Sequence, residues 1–368
     1  MDFLYLSEED MIKAGVLDMP ACIVTMEDTF KLLYQGDYRL GGINNSDHGL
    51  RTRFPKESDI PDMPLDAPGR WFTAMPAYLG GKYHCFGFKT YGANQNNPHI
   101  GLPRSVLMMQ LLDASTGVPL AFMSANLLSA MRTGAVTGLY AKLFAKKDSE
   151  KIAIIGPGVI GRYSLDGVMA VIPSIQKIAA FGRGKNNRNA FIDYCHEKEY
   201  PTVTDCTTID EACQDADIIV TASSQAERFS DYPLIKSKYL KEGTCVITTS
   251  AVRIERNIID SGKCTFVADD IRMYMNERGI DAIPLTEEDK QTVTLKNALH
   301  EKLARHDNIL NLPELVSDTC FCKQENHIYL CASGGIPIED VSWAYMCYRK
   351  AINTGIGMRL PIWNTSHL

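Results

Sequence analysis

The chain has 368 residues, 45% of them hydrophobic and 22% charged, which is enough apolar content for the cores of two ordinary domains and too much for a disordered chain. Thirty-eight basic residues against 44 acidic ones leave a net charge of −6, and this argues against a general nucleic-acid partner, which demands a basic surplus to neutralise phosphates. The first residues carry acids where a secretory leader needs basic ones, and no run reaches the roughly 18 apolar residues of a membrane span, so a cytoplasmic protein without a membrane partner is expected.

Residues 1 to about 130 read as an opening helix followed by strand-like runs at 71–79 (WFTAMPAYL) and 84–93 (HCFGFKTYGA). Between them and the opening helix, the Pro- and Asp-rich insert 56–69 reads as an exposed loop, a decoration more than a lid. Residues 105–123 form two apolar stretches around Asp-Ala-Ser-Thr-Gly, the pattern of a hairpin. A helix over 126–145 then leads into short apolar runs at 151–156, 177–182, 216–223, 243–250 and 264–270, separated by helix-length segments. Such runs indicate βαβ units and a parallel sheet. The segment 337–357 reads as a helix, with Glu339 and Asp340 complementing its dipole and Gly355 ending it. It is expected to return to the first domain.

Eleven cysteines include no Cys-x-x-Cys; Cys320 and Cys322 are the one close pair. Scattered reduced thiols in a core are expected, and no zinc site. His300 and His306 stand six apart, not at the i, i+4 spacing of a metalloprotease helix, so that stretch reads as surface helix.

The sharpest local signal is KIAIIGPGVIG, with Gly156, Gly158 and Gly161 spaced as G-x-G-x-x-G after a strand and before a helix. Gly156 permits the turn, Gly158 lets backbone approach a pyrophosphate, and Gly161 seats the helix on the strand. The helix start, with Val159 and Ile160, offers N–H groups to the anion. After the second strand come Arg183, Lys185 and Arg188 and no carboxylate. A cation there pairs with a 2′-phosphate, so NADP(H) is favoured, with NAD(H) the alternative. Ser223 and Ser224 end another strand, where a nicotinamide ribose lies in such folds. Asp269 and Asp270 end a further strand and either line the same crevice or form a turn.

The segment from Met75 to Ala145, the Gly loop, and the stretch from Glu325 to Gly357 together resemble the ornithine cyclodeaminase/mu-crystallin family. The resemblance implies an α/β protein: a Rossmann domain at 131–319 and an α+β substrate and dimerisation domain built from 1–130 and 320–368, assembled as a homodimer. It implies that Lys89, in FGFKTYGANQNNP, is the active-site lysine and that Arg132, in AMRTGAVTG, binds the substrate carboxylate. Arg51 matches the second arginine, with Arg53 its neighbouring alternative, and Met75 falls among the substrate-binding positions. The residues agree with this: two guanidinium forks suit a carboxylate, and a desolvated lysine has a lowered pKa suited to proton exchange with an imine.

One departure matters. Where ornithine cyclodeaminases place an aspartate after the fifth Rossmann strand, this chain has Ala251, which cannot shuttle a proton. Arg253 and Glu255 follow, as alternative polar contacts or as a solvated loop. The implied activity is therefore NADP(H)-dependent oxidoreduction at the C–N bond of a small carboxylated amine or imine, whether cyclic ketimine, pyrroline carboxylate or opine-type. The rivals are strict ornithine cyclodeamination, the tyramine oxidase role ascribed to some family members, and non-enzymatic, mu-crystallin-like binding of a ligand with NADPH.

Overall fold

The structure is a computed structural model that describes residues 1–42, 45–67, 69–224, 226, 228–275, 291–305, 307, 309–318 and 320–366. Two compact units emerge: Met1–Asp18 with Leu32–Arg132 and Ile336–Leu368, and Met19–Lys31 with Thr133–Gly335. The chain opens on a strand, β1 (Asp2–Leu6), and not on a helix. Its partners are non-local, so local pattern does not announce it. Then follow α1 (Glu8–Lys13), capped reciprocally by Ser7 and Asp10, and α2 (Met19–Gln35).

Short strands β2 (Tyr38–Leu40) and β3 (Leu50–Thr52) precede the long pair β4 (Trp71–Leu79) and β5 (Cys85–Ala93). Along β4 residues alternate between buried and partly open, the period-2 signature of a sheet with one covered face. The expected hairpin is β6 (Ser105–Asp113) and β7 (Pro119–Ser124), antiparallel, its turn held by Asp113 accepting from the backbone of Ser115 and Thr116. The insert forms neither helix nor strand among its described residues and is mostly exposed. The expected helix follows as α3 (Asn126–Phe144).

Beyond the parts of α2 and α3 that it includes, the second unit has β8 (Lys151–Ile155), α4 (Val159–Val171), β9 (Lys177–Phe181), α5 (Lys185–Glu197), β10 (Val203–Asp205) and α6 (Ile209–Cys213). It continues through β11 (Ile218–Thr221), β12 (Leu234–Ile235), β13 (Cys245–Thr248), β14 (Arg253–Glu255), α7 (Arg256–Asp260), β15 (Cys264–Ala268) and α8 (Ile271–Met275). Next come β16 (Thr292–Thr294), α9 (Leu295–Ala304), β17 (Leu310–Asn311), α10 (Leu312–Ser317) and β18 (Ile328–Ala332).

All five expected runs lie in one parallel sheet of order β10-β9-β8-β11-β13-β18-β15-β17. Strands β8, β11 and β13 are buried almost throughout, as a sheet covered on both faces requires. The fold is a Rossmann-like α/β arrangement, and strand order reverses between β8 and β11, opening a crevice at their carboxyl ends. The expected boundary at 320 moves to Ile336, because β18 inserts between β13 and β15. A small sheet of β12, β14 and β16 lies beside this one in the same unit.

The chain then returns to the first unit as α11 (Pro337–Thr354) and β19 (Met358–Pro361). Gly355 closes α11 in the left-handed region, φ 68°, a conformation that suits glycine. The first sheet runs β19-β1-β7-β6-β5-β4-β2, with β3 also paired to β4. The opening turns of α11 are buried on every side, and Trp343 donates through Nε1 to the Val16 carbonyl at 3.2 Å. All eleven cysteines are free thiols; Cys320 and Cys322 are exposed and so lie outside the expected core setting.

Candidate active site

Lys89 stands mid-way along β5, opposite Met75 of β4 and Met109 of β6, and is only 2% exposed. Its Nζ donates to Asp340 Oδ2 at 2.7 Å and to Ser129 Oγ at 3.0 Å. Burial pulls its pKa down to about 8, against the opposing pull of Asp340. Arg132, on α3, donates through Nη1 to Glu339 Oε2 at 2.7 Å and through Nε to Asp340 Oδ1 at 3.1 Å. Burial alone would lower its pKa, but Asp340 and Glu339 outweigh it and hold the guanidinium more firmly charged than usual. Burial likewise works against an ionised Asp340, yet Arg132, Lys89 and, more weakly, His48 keep its carboxyl below the usual range.

Two cations thus face two carboxylates in a buried, formally neutral group. Glu339 and Asp340, expected as ordinary dipole partners at a helix start, are wholly buried counter-ions instead. A sequence signal did exist: two adjacent acids in the first turn of a helix whose neighbours are Ile, Pro, Val and Trp have no solvent face to occupy. Arg132 was expected to bind a substrate carboxylate; most of its fork is committed, which leaves Nη2, whose contact to Ser129 Oγ is long at 3.5 Å. Met75 is buried beside Lys89. Arg51, on β3 opposite Thr73, lies on the face that carries Lys89 and stacks 5.0 Å from the centre of the Trp71 ring; neighbouring Arg53 is exposed.

In the second unit, a cavity of about 620 Å³ opens at the switch point and is lined by Gly156, Gly158, Arg183, Ser223, Ser224 and Arg253, among others. Gly156 has φ 96°, and a Cβ there would meet the Ala222 backbone at 2.6 Å. A Cβ on Gly161 would meet the Gly156 carbonyl at 2.5 Å, whereas one on Gly158 would meet nothing within 4 Å. Glycine is thus needed at 156 and 161, and the backbone at Gly158 faces open space, an arrangement that a pyrophosphate would fit. No side chain caps α4, so the leading N–H groups of Val159 and Ile160 are available to an anion. These residues fit a dinucleotide.

Of the expected cations, Arg183 is exposed and lines the cavity. Lys185 opens α5, and Arg188 is held by Asp205 Oδ1 and the Gly182 carbonyl, both at 2.6 Å. Asp210 and Asp231, which local sequence does not single out, also line the cavity, paired with Lys236 at 2.7 Å and Arg228 at 2.9 Å. Arg253 braces the cavity wall by donating to the carbonyls of Tyr232 at 3.1 Å and Ser230 at 2.8 Å. Glu255 accepts from the backbone and hydroxyl of Ser237.

Asp270 is a local turn-former, accepting from the Arg272 N–H, whereas Asp269 ties two strand ends together. Asp269 accepts from the N–H groups of Gly334 at 2.6 Å and Gly335 at 2.9 Å, and burial pushes its pKa up to about 6; Asp270 holds Arg272. His300 lies on α9, and His306 is outside the described residues.

The profile of the ornithine cyclodeaminase/mu-crystallin family matches residues 16–355. One relative, N-((2S)-2-amino-2-carboxyethyl)-L-glutamate dehydrogenase of Staphylococcus aureus, is 26% identical over 293 residues, covering 79% of this chain and 82% of its own. The Thermococcus litoralis Δ(1)-pyrroline-2-carboxylate reductase, solved with NADH and L-proline, is similar with a TM-score of 0.77 and 25% identity over 97% of this chain and 100% of that one. An archaeal alanine dehydrogenase dimer with bound NAD is similar with a TM-score of 0.76 and 22% identity, covering 99% and 100%. No described helix is long and apolar enough to cross a membrane. With the profile spanning most of its length, the chain belongs to the ornithine cyclodeaminase/mu-crystallin family.

Proposed function

We propose that this protein is a nicotinamide-dependent oxidoreductase acting on the C–N bond of a small carboxylated amine or imine, with NADP(H) as coenzyme. The observation that carries this reading is Lys89: a buried lysine with a pKa near 8, hydrogen-bonded to an ionised aspartate. A group with that pKa exchanges protons readily near neutrality. The nicotinamide, when bound, supplies or accepts hydride. In the reductive direction the Lys89 ammonium gives its proton to the imine nitrogen, which makes the imine carbon a better hydride acceptor. Asp340 and Ser129 orient Nζ, and Asp340, kept ionised by Arg132, favours the ammonium, so the free amine left after the transfer takes its next proton from solvent. Arg51 and Nη2 of Arg132 hold the substrate carboxylate. Proton transfer of this kind contributes roughly 10²- to 10⁴-fold in rate, and positioning of the substrate adds to it.

NADP(H) is favoured by Arg183 at the cavity wall; the nearby carboxylates Asp210 and Asp231 favour NAD(H) as the second reading. Ala251 speaks against ammonia-releasing cyclodeamination, since a methyl group holds no proton. A homodimer accords with the exposed apolar side chains Leu50, Phe72, Val106 and Phe122, which share the sheet face opposite Lys89 and would be covered by a second copy. The test is to supply Δ(1)-pyrroline-2-carboxylate, and imines formed from pyruvate and amines, with NADPH or NADH. Coenzyme oxidation matched by amino-acid formation supports the reading. Tight coenzyme binding with no oxidation by any imine overturns it in favour of a ligand binder.

A further inference from the structure

Three rows of side chains run along the Lys89 face of the first sheet. Strand register places Met75, Lys89 and Met109 in one row, Arg51, Thr73 and Tyr91 in the next, and Trp71, Ala93 and Ser105 in the third. Arg104, which leads into β6, lays its guanidinium 5.7 Å from the centre of the Trp71 ring, the same ring that Arg51 covers at 5.0 Å. Tyr91 links this corner to the catalytic lysine: Lys89 Nζ is 5.9 Å from its ring, and its hydroxyl interacts electrostatically with Arg104.

Among the described residues, polar groups at this corner go unpaired. Arg104 Nε, Trp71 Nε1 and Thr73 Oγ1 are each buried without a hydrogen-bond partner among the described residues. Among those residues Arg104 forms no ion pair either, whereas the Lys89 and Arg132 charges are balanced by Asp340 and Glu339. Partial burial lowers the pKa of Arg104, the sign of a guanidinium drawn from water without a compensating anion. A planar fork in that condition is matched by a carboxylate.

We infer that Arg104 and the Trp71 corner bind a second carboxylate of the substrate, so that the preferred substrate is a dicarboxylic imino acid. The inference rests on the proposed imine chemistry for the identity of the reacting group, but not for the anion site itself. Four residues separate the Lys89 and Trp71 rows, about 13 Å at some 3.3 Å per residue. An arginine side chain and a substrate with two or three methylenes between its carboxylates cover that span together. A site that supplies donors to a missing group discriminates against ligands lacking it far more strongly than an apolar pocket does.

Two measurements on the full chain with saturating NADPH test this. In calorimetric titrations glutarate should bind about 30-fold or more tighter than butyrate, and Arg104→Gln should bring the ratio to within about three-fold. In turnover, the imine from 2-oxoglutarate and methylamine should exceed that from pyruvate and methylamine in kcat/KM by a similar factor. Arg104→Gln should erase that preference mainly through KM. Arg104→Lys, which keeps the charge and loses the fork, should fall between and serves if the glutamine variant misfolds. Equal glutarate and butyrate affinities in the unaltered protein, or a ratio unchanged by Arg104→Gln, overturn the inference. Glutarate selectivity without reduction of any imine would remove the proposed chemistry and keep the site; reduction without dicarboxylate preference would do the reverse.

Discussion

Lys89 shows how one residue's chemistry is set by its neighbours. Burial makes its proton easy to lose, and Asp340 limits how far that goes, so the balance falls near pH 8. Imine reduction, which needs the ammonium, should therefore fall as pH rises through about 8, and amine oxidation, which needs the free amine, should rise over the same range. Lys89→Ala should cut reduction about 10²- to 10⁴-fold and abolish that limb, while coenzyme affinity by fluorescence titration stays within about two-fold. Asp340→Asn removes the charge that opposes desolvation; the limb of the pH–rate profile should move below 8. A limb that stays in place would show that Asp340 does not act through Lys89. Lys89 and Arg132 could be picked out from the sequence by resemblance and by residue type. That Glu339 and Asp340 are their partners was not legible: the apolar neighbours mark the two acids as buried, but Asp340 is 251 residues from Lys89 in the chain and nothing local says which cation it meets.

At the scale of elements, the strands with the longest apolar runs and the helices between and after them were legible: β4, β5, the β6–β7 hairpin, α3 and α11 lie where hydrophobic period and turn residues put them. Strands β1, β18 and β19 were not legible as strands of these sheets, since each is short and owes its place to partners far away in sequence. The junction after β18 illustrates how such a strand is fixed. Asp269, at the end of β15, accepts from Gly334 and Gly335 immediately beyond β18 and so ties the two strand ends together. Asp269→Ala leaves those N–H groups without their acceptor and should cost about 2–4 kcal/mol in chemical denaturation. Asp269→Asn retains a carbonyl acceptor and should cost less; equal losses would mean that the acceptor is not what matters there.

For the whole molecule, three separate segments bring charged side chains to one cavity: Arg183 after β9, Asp210 on α6 and Asp231 before β12; in the proposed reading these set the coenzyme preference. Arg183→Asp should weaken NADPH at least about ten-fold more than NADH, the usual worth of a charge-assisted phosphate contact; an equal loss for both would assign the preference elsewhere. By itself the sequence determined the α/β class and the G-x-G-x-x-G turn between a strand and a helix, while Lys89, Arg51 and Arg132 were marked as candidates by the family resemblance and Arg183 by its place after the second strand. The class and the turn follow from local backbone geometry and hydrophobic period, which act over a few neighbours. Only the tertiary structure decided which charges meet: that Glu339 and Asp340 neutralise Arg132 and Lys89, that Arg188 is taken up by Asp205, and that Arg104 shares the Trp71 ring with Arg51. Charge partners are selected by burial, where the loss of water makes each ion depend on whichever counter-ion the fold delivers, and that delivery spans hundreds of residues.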